Sequence, residues 1–246
     1  MHGGEVQESR SSCYLLDGHV LLDAGGGQAL LSEGEADGID GCIVTHAHLD
    51  HVYGLPLLLD RRYGCPTLEV RSIAPVIRTL TTHLFNDALW PDLTRIPDRA
   101  SPFVRFVEVT PEVPVRVAGL EATPVEVSHS VPAVGWLVSL PGERPVVFSG
   151  DTGPTTRLWE MATARAARAA FVEVSYPDRL ARIAALSGHL TPATLADAIG
   201  RLPPGIPIRL IHLKPELAAE IESELAPLLA AHGNIGIARA GATYRV

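Results

Sequence analysis

The sequence lacks the material for a disulfide framework: its three cysteines, Cys13, Cys42 and Cys65, form no CxxC pair and leave one over in any pairing. That usage fits a reducing compartment. It also lacks any apolar run approaching about 18 residues, so no membrane-spanning helix is expected. The polar, acid-bearing start from Met1 to Arg10 has neither the basic flank nor the apolar centre of a signal peptide, so a soluble, cytoplasmic protein is expected. Positive charge is scarce too. Twenty Lys and Arg against 28 Asp and Glu give a net charge of −8, with no basic run to neutralise a phosphate backbone. Large nucleic acids and membranes are therefore not expected partners. The cluster Gly25-Gly26-Gly27 lacks the Lys-Ser/Thr of a phosphate-binding loop and reads as a tight turn that sets Asp23 near the loop at 46–51. No linker, low-complexity tract or clear repeat divides the chain, and 246 residues with 46% apolar content can bury one core. A single domain, 1–246, is expected, and a homodimer is compatible with it.

The apolar pattern supplies the elements. Residues 13–16 and 20–23 read as a hairpin around Asp17-Gly18, and 42–45 as a strand. A helix begins at Asp50 and is broken at Gly54-Leu55-Pro56, with a second segment running to Tyr63. A short strand at 68–70 precedes a helix over 73–89. From 104 to 148, Val-rich runs separated by turn pairs read as a β meander. Then come a helix over 155–168, a strand over 170–174, a helix over 192–201 capped by Thr191, a strand over 206–211, a helix over 215–232 and closing strand material over 235–246. Strands followed by helices, twice over, predict an α/β (α+β) protein of two sheets inside outer helices: a four-layer αβ/βα sandwich.

Chemistry concentrates in Thr45-His46-Ala47-His48-Leu49-Asp50-His51, directly after an apolar run. Composition alone would place three histidines and an aspartate in this pattern roughly once in a thousand such chains. On an extended loop His46 and His48 can converge on one cation, and the next turn swings Asp50 and His51 toward a second. Three further strand ends carry His129, Asp151 (within Ser149-Gly150-Asp151) and His212. A lone strand-end histidine is more often structural or solvated. Here, two metal ions need about seven protein ligands, and these three complete the set.

The order of these segments resembles the metallo-β-lactamase superfamily. More narrowly, the chain resembles the class II cyclic nucleotide phosphodiesterases. The residues that carry this likeness are Leu49 within the histidine loop, His83-Leu84-Phe85-Asn86, Leu89-Trp90-Pro91-Asp92, Glu173-Val174-Ser175, Ser187-Gly188-His189-Leu190-Thr191-Pro192 and His212-Leu213-Lys214-Pro215. The likeness spans about residues 12–240.

The resemblance implies a first metal on His46, His48 and His129, a second on Asp50, His51 and His212, and Asp151 bridging the two. Zinc is the expected ion, with iron or manganese allowed by the mixed His and carboxylate set. It further implies a 3′,5′-cyclic nucleotide as substrate, cyclic AMP first, opened at the 3′ oxygen to a 5′-nucleotide. The leaving alkoxide needs a proton. His189 is the expected donor, with Glu173 setting its tautomer and Asp50 counted with both as catalytic. His83, Asn86 and Trp90 are the candidate substrate contacts. Trp90 and its neighbour Phe85 could stack on a base, although aromatics at helical spacing more often belong to the core. Two other readings compete. One is a tRNA 3′-processing endonuclease of the same superfamily, which would need a basic RNA surface; the other is a non-catalytic, metal-containing ligand sensor.

Overall fold

The computed structural model describes residues 10–246, and its strands fall into two sheets. The polar start at Met1–Arg10 lies, apart from Arg10, outside the described residues. The first sheet opens with β1 (Tyr14–Leu16) and β2 (Val20–Leu22), paired antiparallel around a turn in which Asp17 and Gly18 both take positive φ. β3 (Gly41–Ile43), β4 (Leu68–Ile73) and β5 (Val104–Val109) follow, each parallel to its neighbour, in the order β1-β2-β3-β4-β5. Between these strands lie α1 (Glu33–Asp37), α2 (Leu49–Val52), α3 (Gly54–Arg61) and α4 (Ala74–His83).

The second sheet starts as an antiparallel meander of β6 (Val115–Val117), β7 (Leu120–Glu126), β8 (Val134–Ser139) and β9 (Val146–Phe148). It continues in parallel through β10 (Ala169–Glu173), β11 (Ile208–Ile211) and β12 (Ile235–Ile237). The strands are joined or flanked by α5 (Arg157–Ala164), α6 (Ala181–Ser187), α7 (Pro192–Gly200) and α8 (Ala218–Ala231). One core holds inward residues of both sheets, among them Val20, Cys42, Val70, Trp136, Phe148 and Phe171. The other packs the second sheet against its helices through Leu158, Trp159, Leu195, Ile221 and Leu225. The result is the four-layer sandwich, and the wholly buried Trp136 ties the layers by donating from Nε1 to the Val44 carbonyl at 3.3 Å. Truncating a side chain so buried costs about 3–5 kcal/mol. Among the described residues no helix is long and apolar enough to cross a membrane.

Five elements depart from expectation, one of them α6, a helix not expected between the strand at 170–174 and the helix at 192–201. The 104–109 run is not part of the meander but lies along β4 in the first sheet, because Val-rich alternation marks a strand without naming its partner. The helix expected over 73–89 ends at His83: Ile73 closes β4, and Asn86 pulls the chain into a loop by accepting from the Ala88 and Leu89 amides through Oδ1. α1 was signalled by a capping box that the sequence reading passed over, Ser32 with Glu35. Of the closing segment only Ile235–Ile237 pairs as a strand.

The rims of the two sheets are joined by His19. Its Nδ1 lies 2.7 Å from the Asp17 carbonyl and its Nε2 2.7 Å from the Ala118 carbonyl. Carbonyls only accept, so both nitrogens must donate and the ring is held charged. These bonds, Ala118 first and Asp17 second, raise its pKa above 6.5. A folded pKa above the unfolded one means the stabilisation is full below about pH 6.5 and is lost as pH rises through the folded value. His19 is half-buried and its bonds are open to solvent screening, so the effect is at most about 1 kcal/mol. Melting curves should show wild type above His19→Ala by ~2–4 °C near pH 6, the gap closing in mildly alkaline buffer. A gap independent of pH would refute the clamp.

Candidate metal centre

The parallel pairings aim the ends of β2, β3, β9, β10 and β11, together with the end of β7, at one rim, as happens wherever open α/β sheets build sites. Past β3 the backbone is caught at once: the Thr45 amide donates to Asp23 Oδ1 at 2.7 Å and Val44 N donates to Arg71 O at 2.9 Å. This extends 44–48, and α2 then turns Asp50 and His51 inward. Gly25 lies beneath that turn. A Cβ there would stand 2.1 Å from the Asp50 carbonyl, so only glycine lets the two chains meet.

Three groups of possible ligand atoms, each within 4.8 Å, result among the described residues: two that hold the expected ligands, His46, His48, His129 and Asp151, and Asp50, His51, Asp151 and His212, and a third, Glu173, His189 and His212, described below. Asp151 belongs to the first two. Its Oδ2 lies 3.6 Å from His46 Nε2, and its Oδ1 lies 3.2 Å from His51 Nε2 and 3.3 Å from His212 Nε2. Within the first group His48 Nδ1 faces His129 Nε2 at 3.1 Å, and within the second His51 Nε2 faces His212 Nε2 at 3.3 Å.

The outward nitrogens explain why the inward ones are free to bind. His129 Nδ1 donates to the Gly188 carbonyl at 2.8 Å, and His51 Nδ1 donates to Asp23 Oδ2 at 2.7 Å. Ser175 Oγ gives its proton to Glu173 Oε2 and so accepts from His212 Nδ1 at 2.8 Å. Thr45 Oγ1 gives its proton to Asp23 and accepts from His46 Nδ1 at 3.0 Å. Each proton thus points away from the cluster and each lone pair into it. His46 Nε2, fully buried, has no hydrogen-bond partner among the described residues. A buried orphan nitrogen among facing lone pairs is costly without a cation, so the residues fit a metal pair.

The charges agree. Burial and the His51 charge hold His46 well below its ordinary pKa, and burial lowers His48 and His129. For His51 burial opposes the charged ring, but the Asp151 and Asp23 carboxylates outweigh it and hold the pKa well above its usual value. Burial opposes charge on Asp151 as well, yet His212 and His51 keep it ionised.

His189 adjoins the cluster. Its Nδ1 lies 2.8 Å from Glu173 Oε1, and its ring stacks on His212 and meets His129 edge-on. Glu173, wholly buried, also accepts from the Thr152 amide. Gly188 makes this approach possible: at φ 70° it comes so near His129 that a Cβ would stand 2.7 Å from the His129 Cα.

Of the other expected residues, Phe85 is in the core against Phe106, and Trp90 packs half-buried against the same core. The Asn86 side chain is engaged within its own loop, and His83 is exposed at the end of α4. No contact joins His83, Asn86 or Trp90 to the histidine cluster among the described residues. The orienting roles of Thr45, Ser175 and the Gly188 carbonyl went unread in the sequence, because a hydroxyl or carbonyl that orients a ligand has no spacing signature. Asp23 had one, a strand-end carboxylate before a glycine cluster. Asp23→Asn keeps the shape and suits the positive φ of 58°, but removes the charge behind His51. Metal affinity by competitive chelator titration should fall about 10–100-fold with the fold intact; an unchanged affinity would deny Asp23 this role.

Fold and ligand cluster together define a metallo-hydrolase of the β-lactamase type. The chain belongs to that superfamily: residues 19–224 match the Beta-lactamase superfamily domain. It is 26% identical over 204 residues to the Yersinia pestis protein named "Probable 3′,5′-cyclic-nucleotide phosphodiesterase", covering 72% of this chain and 57% of that one. It is 32% identical over 188 residues to Ribonuclease Z of Kineococcus radiotolerans, covering 68% and 56%. The chain therefore spans somewhat over half the length of these relatives. The structure of unliganded yeast PDE1 superposes with a TM-score of 0.80 at 18% identity, over 98% of this chain and 96% of that one, a likeness of fold.

Proposed function

We propose that this protein hydrolyses 3′,5′-cyclic nucleotides, cyclic AMP first, to 5′-nucleotides. The observation that carries the reading is the join between the two ligand groups and the His189–Glu173 pair, which places a proton-holding imidazole against both. His46, His48, His129 and Asp151 would hold one divalent ion, and Asp50, His51, His212 and Asp151 the other, with zinc expected and iron or manganese compatible with the donors. Such ions supply Lewis acidity at phosphorus and an activated water near neutral pH.

The side chains do the rest. Glu173 fixes the His189 tautomer through Nδ1 and leaves Nε2 to protonate the departing 3′ oxygen. Burial opposes the charged ring, but Glu173 outweighs it and raises the His189 pKa, which suits a donor. Asp50, at 30% exposure against 2% for Asp151, stands on the open side, where it can orient the attacking water. Three free cysteines accord with a cytoplasmic setting.

The Kineococcus relative favours a second reading, cleavage of RNA. Against it stand the net charge of −8 and the lack of any run of Lys and Arg that could follow a polynucleotide backbone; Arg71, Arg95, Arg157, Arg168 and Arg179 are moreover engaged with carboxylates. A rate panel decides: metal-loaded protein with cyclic AMP, cyclic GMP, precursor tRNA, a thioester and a β-lactam. Cyclic nucleotides should be turned over fastest and the β-lactam not at all. Precursor tRNA cleaved far faster than cyclic AMP would overturn the assignment, and turnover of no member would favour a ligand sensor.

A further inference from the structure

Nineteen of the 20 basic side chains are arginine, and the one lysine, Lys214, lies two residues past His212. It is half-buried, with Nζ 5.0 Å from the centre of the Tyr176 ring. Tyr176 in turn meets the His189 ring edge-on at 5.6 Å. The aromatic face therefore holds the ammonium beside the cluster and not out in solvent. Lys214 forms no ion pair among the described residues, and the charge on it bears on the His189 ring beside it. A half-buried cation left without a carboxylate beside a site crowded with them points to an anion that arrives from outside.

Charge counting gives its sign and size. Asp23, Asp50, Asp151 and Glu173 contribute four negative charges around the cluster. Two divalent ions would balance them, leaving Lys214 and the proton held by His189 as the site's positive charge. A phosphodiester carries one negative charge, and this protein, at −8 overall, otherwise repels it.

We infer that Lys214 is the anion-recognition residue of the site, its ammonium donating to a non-bridging oxygen of the substrate's phosphate. The inference rests on the phosphodiesterase reading and adds to it a residue that selects anionic substrates. The lysine acts as a point charge on a stem braced by Tyr176, so it binds phosphate without demanding a single geometry.

Inorganic phosphate is the probe, because its binding requires no turnover. Calorimetric titration of metal-loaded wild type, Lys214→Gln and Lys214→Arg should show the Gln variant binding about 10–100-fold more weakly, as expected for loss of a charged hydrogen bond. The Arg variant should recover most of the affinity. With cyclic AMP, Lys214→Gln should raise KM by more than it lowers kcat, with metal content unchanged. Equal phosphate affinity in wild type and the Gln variant would overturn the inference, as would loss of metal from the Gln variant, which would make Lys214 a support of the cluster. If wild type binds phosphate but cleaves no phosphodiester, the functional reading fails while the titration still decides the lysine's role.

Discussion

Asp151→Ala protein should bind no more than one metal equivalent, where wild type binds two, and should lose on the order of 10³-fold or more in phosphodiester hydrolysis. The expectation follows from its geometry: each of its oxygens faces a different ligand group, and the side chain is 2% exposed. No neighbour can take its place. A pair of ions would lower the barrier by several kcal/mol, and each 1.36 kcal/mol is tenfold in rate. The variant also leaves His51 and His212 facing each other at 3.3 Å without the carboxylate between them. Asp151→Asn, of equal volume, separates the lost charge from the lost packing and should be nearly as poor. Elemental analysis beside kinetics is the check, and full occupancy with full rate in Asp151→Ala would remove the bridge.

His189→Ala should cost about 10²- to 10⁴-fold in kcat with cyclic AMP, the range for a general acid, and far less with bis(p-nitrophenyl) phosphate. The leaving group makes the difference. The 3′ alkoxide departs only with a proton, whereas nitrophenolate is already a stable anion. His129→Ala removes a ring from the first ligand group and should damage both reactions alike. Glu173→Gln should share the leaving-group dependence of His189→Ala, because Glu173 holds the His189 Nδ1 proton, with a smaller added loss on both substrates because Glu173 also steers His212 through Ser175. Equal losses on both substrates with both ions retained would leave His189 as a positioning group.

That the candidate ligand residues gather in one place was legible because their spacing has little other use. Three histidines and an aspartate in six positions after an apolar run imply a metal loop, and His129, Asp151 and His212 each end a strand where that loop can be reached. The four-layer architecture followed from the alternation of strand and helix signals. Strand partnership was not legible: β5 carries the same Val-rich pattern as the meander strands, yet long-range packing sends it to the other sheet beside β4. The overlong helix at 73–89 failed for a related reason. Leu84 and Phe85 keep the apolar spacing because they are buried, but in a loop held by Asn86. The network behind the ligands was the least visible. Ser175 and the Gly188 carbonyl act through hydrogen bonds that depend on where β10 and α6 end, not on residue type. Lys214 stood in a quoted motif, yet its significance comes from the Tyr176 ring beneath it, which only the folded chain supplies.

The most direct test is the position of the phosphate in the product. Metal-loaded wild type incubated with 3′,5′-cyclic AMP should yield 5′-AMP alone, separated chromatographically from 3′-AMP, with no product after chelation and recovery on adding divalent ion. Accumulation of 3′-AMP, or undiminished 5′-AMP from metal-free protein, would contradict a two-ion site that protonates the 3′ oxygen from His189.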